Sequence, residues 1–232
     1  MVTKYYLAFA SSKELEDSAA DLIARHHQGV EESYIPLMED TMDYFIPEML
    51  DAFLVKSVDA IGLSSTSSKI VHSSADIIGK SARMLIPHLL KKRSNQELGP
   101  MVDFMDEIYL RPEQTETGQA SSGCELDQAT YERMRRVLAE VKAGKVEENR
   151  QELSELMSQS VDLMLDGLMK RAINLLKQGF VVRKIADGAL STCRAAAHGV
   201  VNKVFKRLED HKMQNLAAYF EGLVITAQRP ES

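Results

Sequence analysis

Shifting this chain against itself by 115 positions lays residues 29–108 on residues 144–223 without a gap. Ten of the eighty pairs are identical, so the repeat is one of architecture more than of wording. Apolar residues nonetheless meet apolar residues almost throughout: Ile46 on Val161, Met49-Leu50 on Met164-Leu165, Val58 on Ile173, Leu85-Ile86 on Val200-Val201, Phe104-Met105 on Tyr219-Phe220. A self-similar chain of this kind folds as two copies of one unit, each burying its apolar face against its own elements or against the other copy.

The pattern within each copy is helical. The first helix begins at a capping box, Ser11 to Glu14, carries Leu15, Leu22, Ile23 and His26 on one face, and stops at Gly29; its copy runs from Asp127 to Gly144. A second helix over 36–61 and 147–178 presents Met38, Met42, Ile46, Met49 and Phe53, then Met157, Val161, Met164, Leu168 and Ala172, at spacings of three and four. A third spans 67–93 and 180–209, and a fourth 100–110 and 212–227. Segment 111–125 collects Pro112, Gly118, Gly123, serine and threonine and reads as a surface linker. No alternating β-branched run bounded by turns stands out, so the expectation is an all-α fold. Two tandem repeats of antiparallel helical hairpins, 1–115 and 116–232, would form an up-and-down bundle, as one domain or two.

The third helices of both copies are rich in small residues: Ser73, Ser74, Ala75, Gly79 and Ala82, then Gly188, Ala189, Ser191, Ala195, Ala196, Ala197 and Gly199. Small side chains let backbones approach. Either these helices cross at an internal twofold, or each packs on the methionines and phenylalanines of its own hairpin.

With 44% apolar and 27% charged residues the composition is that of an ordinary folded chain, and no stretch approaches the length of a membrane span. Lys4 precedes only six apolar residues, too few for the core of a signal peptide. Cys124 and Cys193 stand in unrelated settings without metal-ligand spacing, which suits a reducing compartment; the expected location is the cytoplasm. The basic stretch 177–212 scatters its cations around the helix, Arg183 and Arg194 one way and Lys203 to Arg207 the other, so nucleic acid is not an expected partner.

Candidate sites follow from proline, methionine and acid placement. Pro47 in the second helix and Pro87 in the third have Asp162 and Asn202 in the other copy. Kinks at both would splay the first hairpin and open a groove lined by Met42, Met49, Met84 and Leu85, a candidate site for a protein partner; the plainer reading of such a stripe is core. Carboxylates four apart on a helix can chelate a hard cation, which nominates Glu39, Asp43, Asp162 and Asp166 as divalent-metal ligands, with solvated acids as the alternative. Asp17 and Asp21 have the same spacing but project away from the stripe of Leu15 and Leu22. His198, among Ala195, Ala196, Ala197 and Gly199, is a candidate phosphoryl acceptor or a buried histidine; His72 and Asp76 share a helix face as a structural pair. There is no phosphate-binding glycine loop, no nucleophile elbow and no His-Glu-x-x-His, so no catalytic motif points to an enzyme.

Two helical-hairpin repeats, and in particular the phrasing of Met157 to Leu208 as long helix, Gly179 turn and long helix, resemble the PhoU-like phosphate-regulatory family. That resemblance implies modulation of phosphate transport and signalling, with metal clusters held by an acidic (Glu/Asp)-x-x-x-Asp pair late in each repeat. The stretches here read Asp103-Phe104-Met105-Asp106-Glu107 and Tyr219-Phe220-Glu221-Gly222-Leu223, and neither fits that pattern. The expectation is therefore a helical regulatory or adaptor protein acting by protein–protein contact, dimeric, with no cofactor. The alternatives are a metal-binding phosphate regulator and a phosphotransfer module through His198.

Overall fold

This computed structural model describes residues 1–230. The chain opens with strand β1 (Val2–Ala10) and continues through α1 (Lys13–His27), α2 (Ile35–Leu50), a π-helical turn (Asp51–Val55), α3 (Lys56–Ile61), α4 (Ser65–Leu90), α5 (Asn95–Ile108) and the short β2 (Tyr109–Leu110). The second half repeats that order: β3 (Ser121–Leu126), α6 (Gln128–Lys142), α7 (Val146–Met164), a π-helical turn (Leu165–Lys170), α8 (Arg171–Leu175), α9 (Phe180–Lys203), α10 (Asp210–Glu221) and β4 (Val224–Arg229). The offset of 115 is kept by the starts of α1 and α6, α4 and α9, α5 and α10, and β2 and β4.

The fold is mostly helical but not all-α. Among the described residues a four-stranded antiparallel sheet runs in the order β2-β3-β1-β4. The apolar run Tyr5 to Ala10, too short for a signal peptide, forms a central strand with Tyr6, Leu7, Ala8 and Phe9 all buried. A strand covered on both faces carries no polar alternation, which hides it from a period-two search. The last third of the expected surface linker 111–125 is strand: Ser121, Ser122, Gly123 and Cys124 are buried in β3, and Ser122 Oγ lies 2.9 Å from Ser11 Oγ. The expected fourth helices end early, at Ile108 and Glu221, and their last residues pass into β2 and β4. The first helix is capped by Ser12, one residue later than the expected capping box, with Ser12 Oγ accepting from the Leu15 amide at 3.1 Å.

The sheet carries the internal twofold. In the β1–β3 ladder Ala8 faces Gly123, two positions that are themselves 115 apart. The axis therefore passes between them. The flanking ladders obey the same operation: Leu7 faces Val224, and its mate Ser122 faces Tyr109. The axis emerges again where α4 packs on α9, since Cys193 Sγ donates to the carbonyl of its own counterpart, Ile78, at 3.9 Å. Of the two arrangements open for the small-residue helices, this is the crossing at the internal twofold. Because β1 pairs with strands from the second half, the 115/116 boundary separates two repeats within one sheet.

Away from the helices the sheet buries Tyr6, Ala8, Leu110, Ile225 and Ala227. Arg229 closes that side, donating to the carbonyls of Asp106 in the last turn of α5 at 2.8 Å and of Tyr109 just beyond it at 3.2 Å. Both partners of α5 are thereby fixed, its carbonyls by a cation and its first turn by a capping box from Ser94 and Glu97.

Gly123 is the position at which this symmetry tolerates no side chain. A Cβ there would stand 2.2 Å from the Leu7 carbonyl oxygen and 2.5 Å from Ala8 Cα. At Gly167 the same atom would meet only Cys124 Cβ at 3.5 Å, an ordinary contact. Gly123→Ala is expected to cost about 2 kcal/mol or more by overpacking, and Gly167→Ala less than about 1 kcal/mol. Urea midpoints at unchanged m-value measure both.

Candidate ligand cavity between the repeats

The two long helical arms, α2 to α3 and α7 to α8, each contain a π-helical turn at corresponding positions. In the first arm Pro47 precedes the turn by four residues, but the second arm makes its turn with Asp162 at that place, so proline is not its cause. α2 and α4 run through both prolines, and α4 continues to Leu90 after Pro87. A π turn inserts a residue into the helical register and rotates the faces on either side of it. One displaced carbonyl, that of Ala52, accepts from the Tyr219 hydroxyl at 2.6 Å. Burial pushes that phenol up to about 12.

Between the arms lies a cavity of about 170 Å³ whose wall is made only of apolar side chains. It sits on the internal axis. Six pairs of residues 115 apart contribute to it: Ile46 and Val161, Met49 and Met164, Leu50 and Leu165, Phe53 and Leu168, Leu54 and Met169, Ala82 and Ala197. Three of those pairs, Met49/Met164, Leu50/Leu165 and Ala82/Ala197, are identical, against ten identities over the whole repeat. The remaining wall comes mainly from the first repeat, including Phe45, Phe104 and Met105.

Of the expected partner groove, Met42, Met49 and Leu85 belong to this wall. Met84 does not: it stands 57% exposed on the outer side of α4. The four therefore do not share one surface, because Met84 and Leu85, adjacent on a helix, point about 100° apart. Sequence reasoning put Phe53, Val161, Met164, Leu168 and Ala172 on apolar helix faces but not at the groove, and it missed Phe45, although the identities between copies marked the place.

The candidate metal ligands fall on different arms, Glu39 and Asp43 on α2, Asp162 on α7 and Asp166 in the second π turn. Asp162 is engaged by Arg194 and by His198, whose Nε2 lies 3.1 Å from Asp162 Oδ1. Asp166 accepts from Arg194 at 2.8 Å and faces Lys170 at 3.4 Å. Both carboxylates thus spend their charge on cations of the protein. Among the described residues no three His, Cys, Asp or Glu side chains gather closely enough to hold one ion. His198, the candidate phosphoryl acceptor, is half-buried and turned to Asp162. Asp162 and Asp166 also edge a polar cleft beside the sheet, with Arg133 held by Glu152 at 2.8 Å and Arg171 paired with Glu107.

The two cysteines are buried thiols, Cys124 in β3 and Cys193 at the α4–α9 crossing. Burial pushes Cys124 up to about 12 and Cys193 up to about 11. A thiol held neutral is a poor nucleophile at neutral pH.

No protein-family model, no curated protein and no solved structure matches this chain. Among the described residues no helix is long and apolar enough to cross a membrane.

Both thiols are expected to resist a disulfide-exchange reagent at pH 8 in the native protein and to react in full after unfolding in guanidinium. Their raised folded values make the linkage favour the native state only while the unfolded thiols stay protonated, so stability falls as pH rises from about 9 toward 11 and 12. Thermal melts across that range test the sign.

Proposed function

We propose that this protein is a regulatory or adaptor protein that works by binding, and that filling the cavity on the internal axis is the event it reports to a protein partner. The observation that carries the reading is the wall of six symmetry-related pairs. A ligand on that axis touches both repeats at once, and a ligand that prefers one relative arrangement of the repeats shifts the population toward it. The buried thiols and the absence of a catalytic motif in the sequence favour binding over chemistry. On the outside, Met84 and Ile77 of α4 and Phe180 and Val181 at the start of α9 are exposed apolar groups through which a partner, a second copy included, would make contact.

Hydrogen exchange tests the coupling. With a small apolar probe bound, slowed exchange is expected in α2, α4, α7 and α9 together; slowing confined to one repeat would remove the regulatory reading. The narrower form implied by the PhoU-like resemblance, a metal-dependent regulator of phosphate handling, has its own measurement. Stoichiometric iron, zinc or manganese on the purified protein, with a fall in Tm on chelation, would establish a metal site; we expect a melt indifferent to chelators.

A further inference from the structure

We propose that the ligand of this cavity is a single unbranched hydrocarbon chain, of the kind carried by a free fatty acid or fatty alcohol, buried by its tail with its polar end left at the mouth. The inference rests on the cavity being a recognition site and adds the chemistry of what enters it.

The wall decides what is excluded. It offers no side-chain donor and no acceptor beyond weakly accepting thioethers. A peptide segment, a sugar or a nucleotide drawn inside would leave its polar groups desolvated and unpaired. An α-helix is about 10 Å across with its side chains, far wider than a space of about 170 Å³ admits. What remains is hydrocarbon. An apolar cavity of about 150 Å³ takes a ligand as large as benzene, so volume alone does not separate a ring from a chain.

Shape separates them. Along α4 the wall runs from Ile78 to Leu89. Eleven residues of helix span about 16 Å, so the apolar lining extends along α4 well beyond the width of a single ring. Six of the chain's twelve methionines line it: Met42, Met49, Met101, Met105, Met164 and Met169. Unbranched thioether side chains re-pack at little cost, which suits a flexible chain better than a rigid ring. The half-buried members of the wall are Met42, Met49, Ala82 and Ile86 on the first repeat and Val161, Met164, Met169 and Ala172 on the second, so the opening lies along the line where the two arms face each other. The cavity has room for one chain, which favours a free amphiphile over a two-chain membrane lipid.

The test is calorimetric titration of the full chain with n-decanol, decanoate and toluene, repeated on Ala197→Phe and Ala82→Phe, which fill the cavity from either repeat. Ala195→Phe, on the exposed side of α9, is the control; circular dichroism selects the variants that fold. The expected result is decanol and decanoate binding at least tenfold more tightly than toluene, weakened at least tenfold by either filling variant and unchanged by the control. Toluene binding as tightly as the chains, and lost on filling, would overturn the chain while leaving the cavity as a site. Absence of binding by all three probes, or binding indifferent to filling, would overturn the site itself. Flotation of the protein with phosphatidylcholine vesicles would overturn the free amphiphile in favour of a membrane lipid.

Discussion

Everything in this molecule is arranged about the close approach of two symmetry-related backbones, Ala8 against Gly123 in the sheet and Ile78 against Cys193 between the helices. The two contacts lie on one axis and fix how the repeats face each other. Both need small or flexible atoms at the crossing, a missing Cβ at Gly123 and a thiol at Cys193, because bulk on the axis would be felt by both copies. The cores of the halves then merge: residues from both repeats share one apolar cluster, in which Phe9 of β1 packs with Phe45 and Phe53 of the first arm and the cluster continues to Met134 of α6 and Phe220 of α10 in the second repeat.

That arrangement explains the cavity. Two arms that each carry a π turn cannot keep an unbroken ridge-into-groove seam where the turns face one another, since the helical register shifts there. The gap falls on the axis, and the six paired positions line its centre while the first repeat supplies most of the rest. Elsewhere the copies have drifted apart, and the drift shows in charge. Asp162 stands where the first copy has Pro47, Arg194 where it has Gly79, and His198 where it has Arg83, and together these three build a polar cluster present in the second repeat alone.

The sequence made the helices legible because their apolar faces recur at three and four, but the starts read from it, 67 and 180 for the third helix and 100 and 212 for the fourth, miss the offset of 115 that the observed starts keep to the residue in α1/α6, α4/α9 and α5/α10. It concealed the sheet for a physical reason. β1 is buried on both faces and shows no alternation, while β3 is built of Ser121, Ser122 and Gly123, whose smallness serves the axis and imitates a loop. The helix-to-strand transitions at Tyr109 and Val224 fall inside apolar runs that a helix would also accept. Met42, Met49 and Leu85 were nominated through kinks at Pro47 and Pro87 as part of a groove for a protein partner, whereas they line an inner cavity, and the second repeat's share of its wall depends on a symmetry that only the paired strands and the crossed helices establish.

The central claim, an apolar space on the internal axis that admits a ligand, is tested most directly by diffraction from crystals equilibrated under xenon, an atom that partitions into dry apolar cavities. The account predicts xenon bound between Met49 and Met164, in contact with side chains of both repeats. Crystals that take up no xenon there, or take it up only within one repeat, would contradict it.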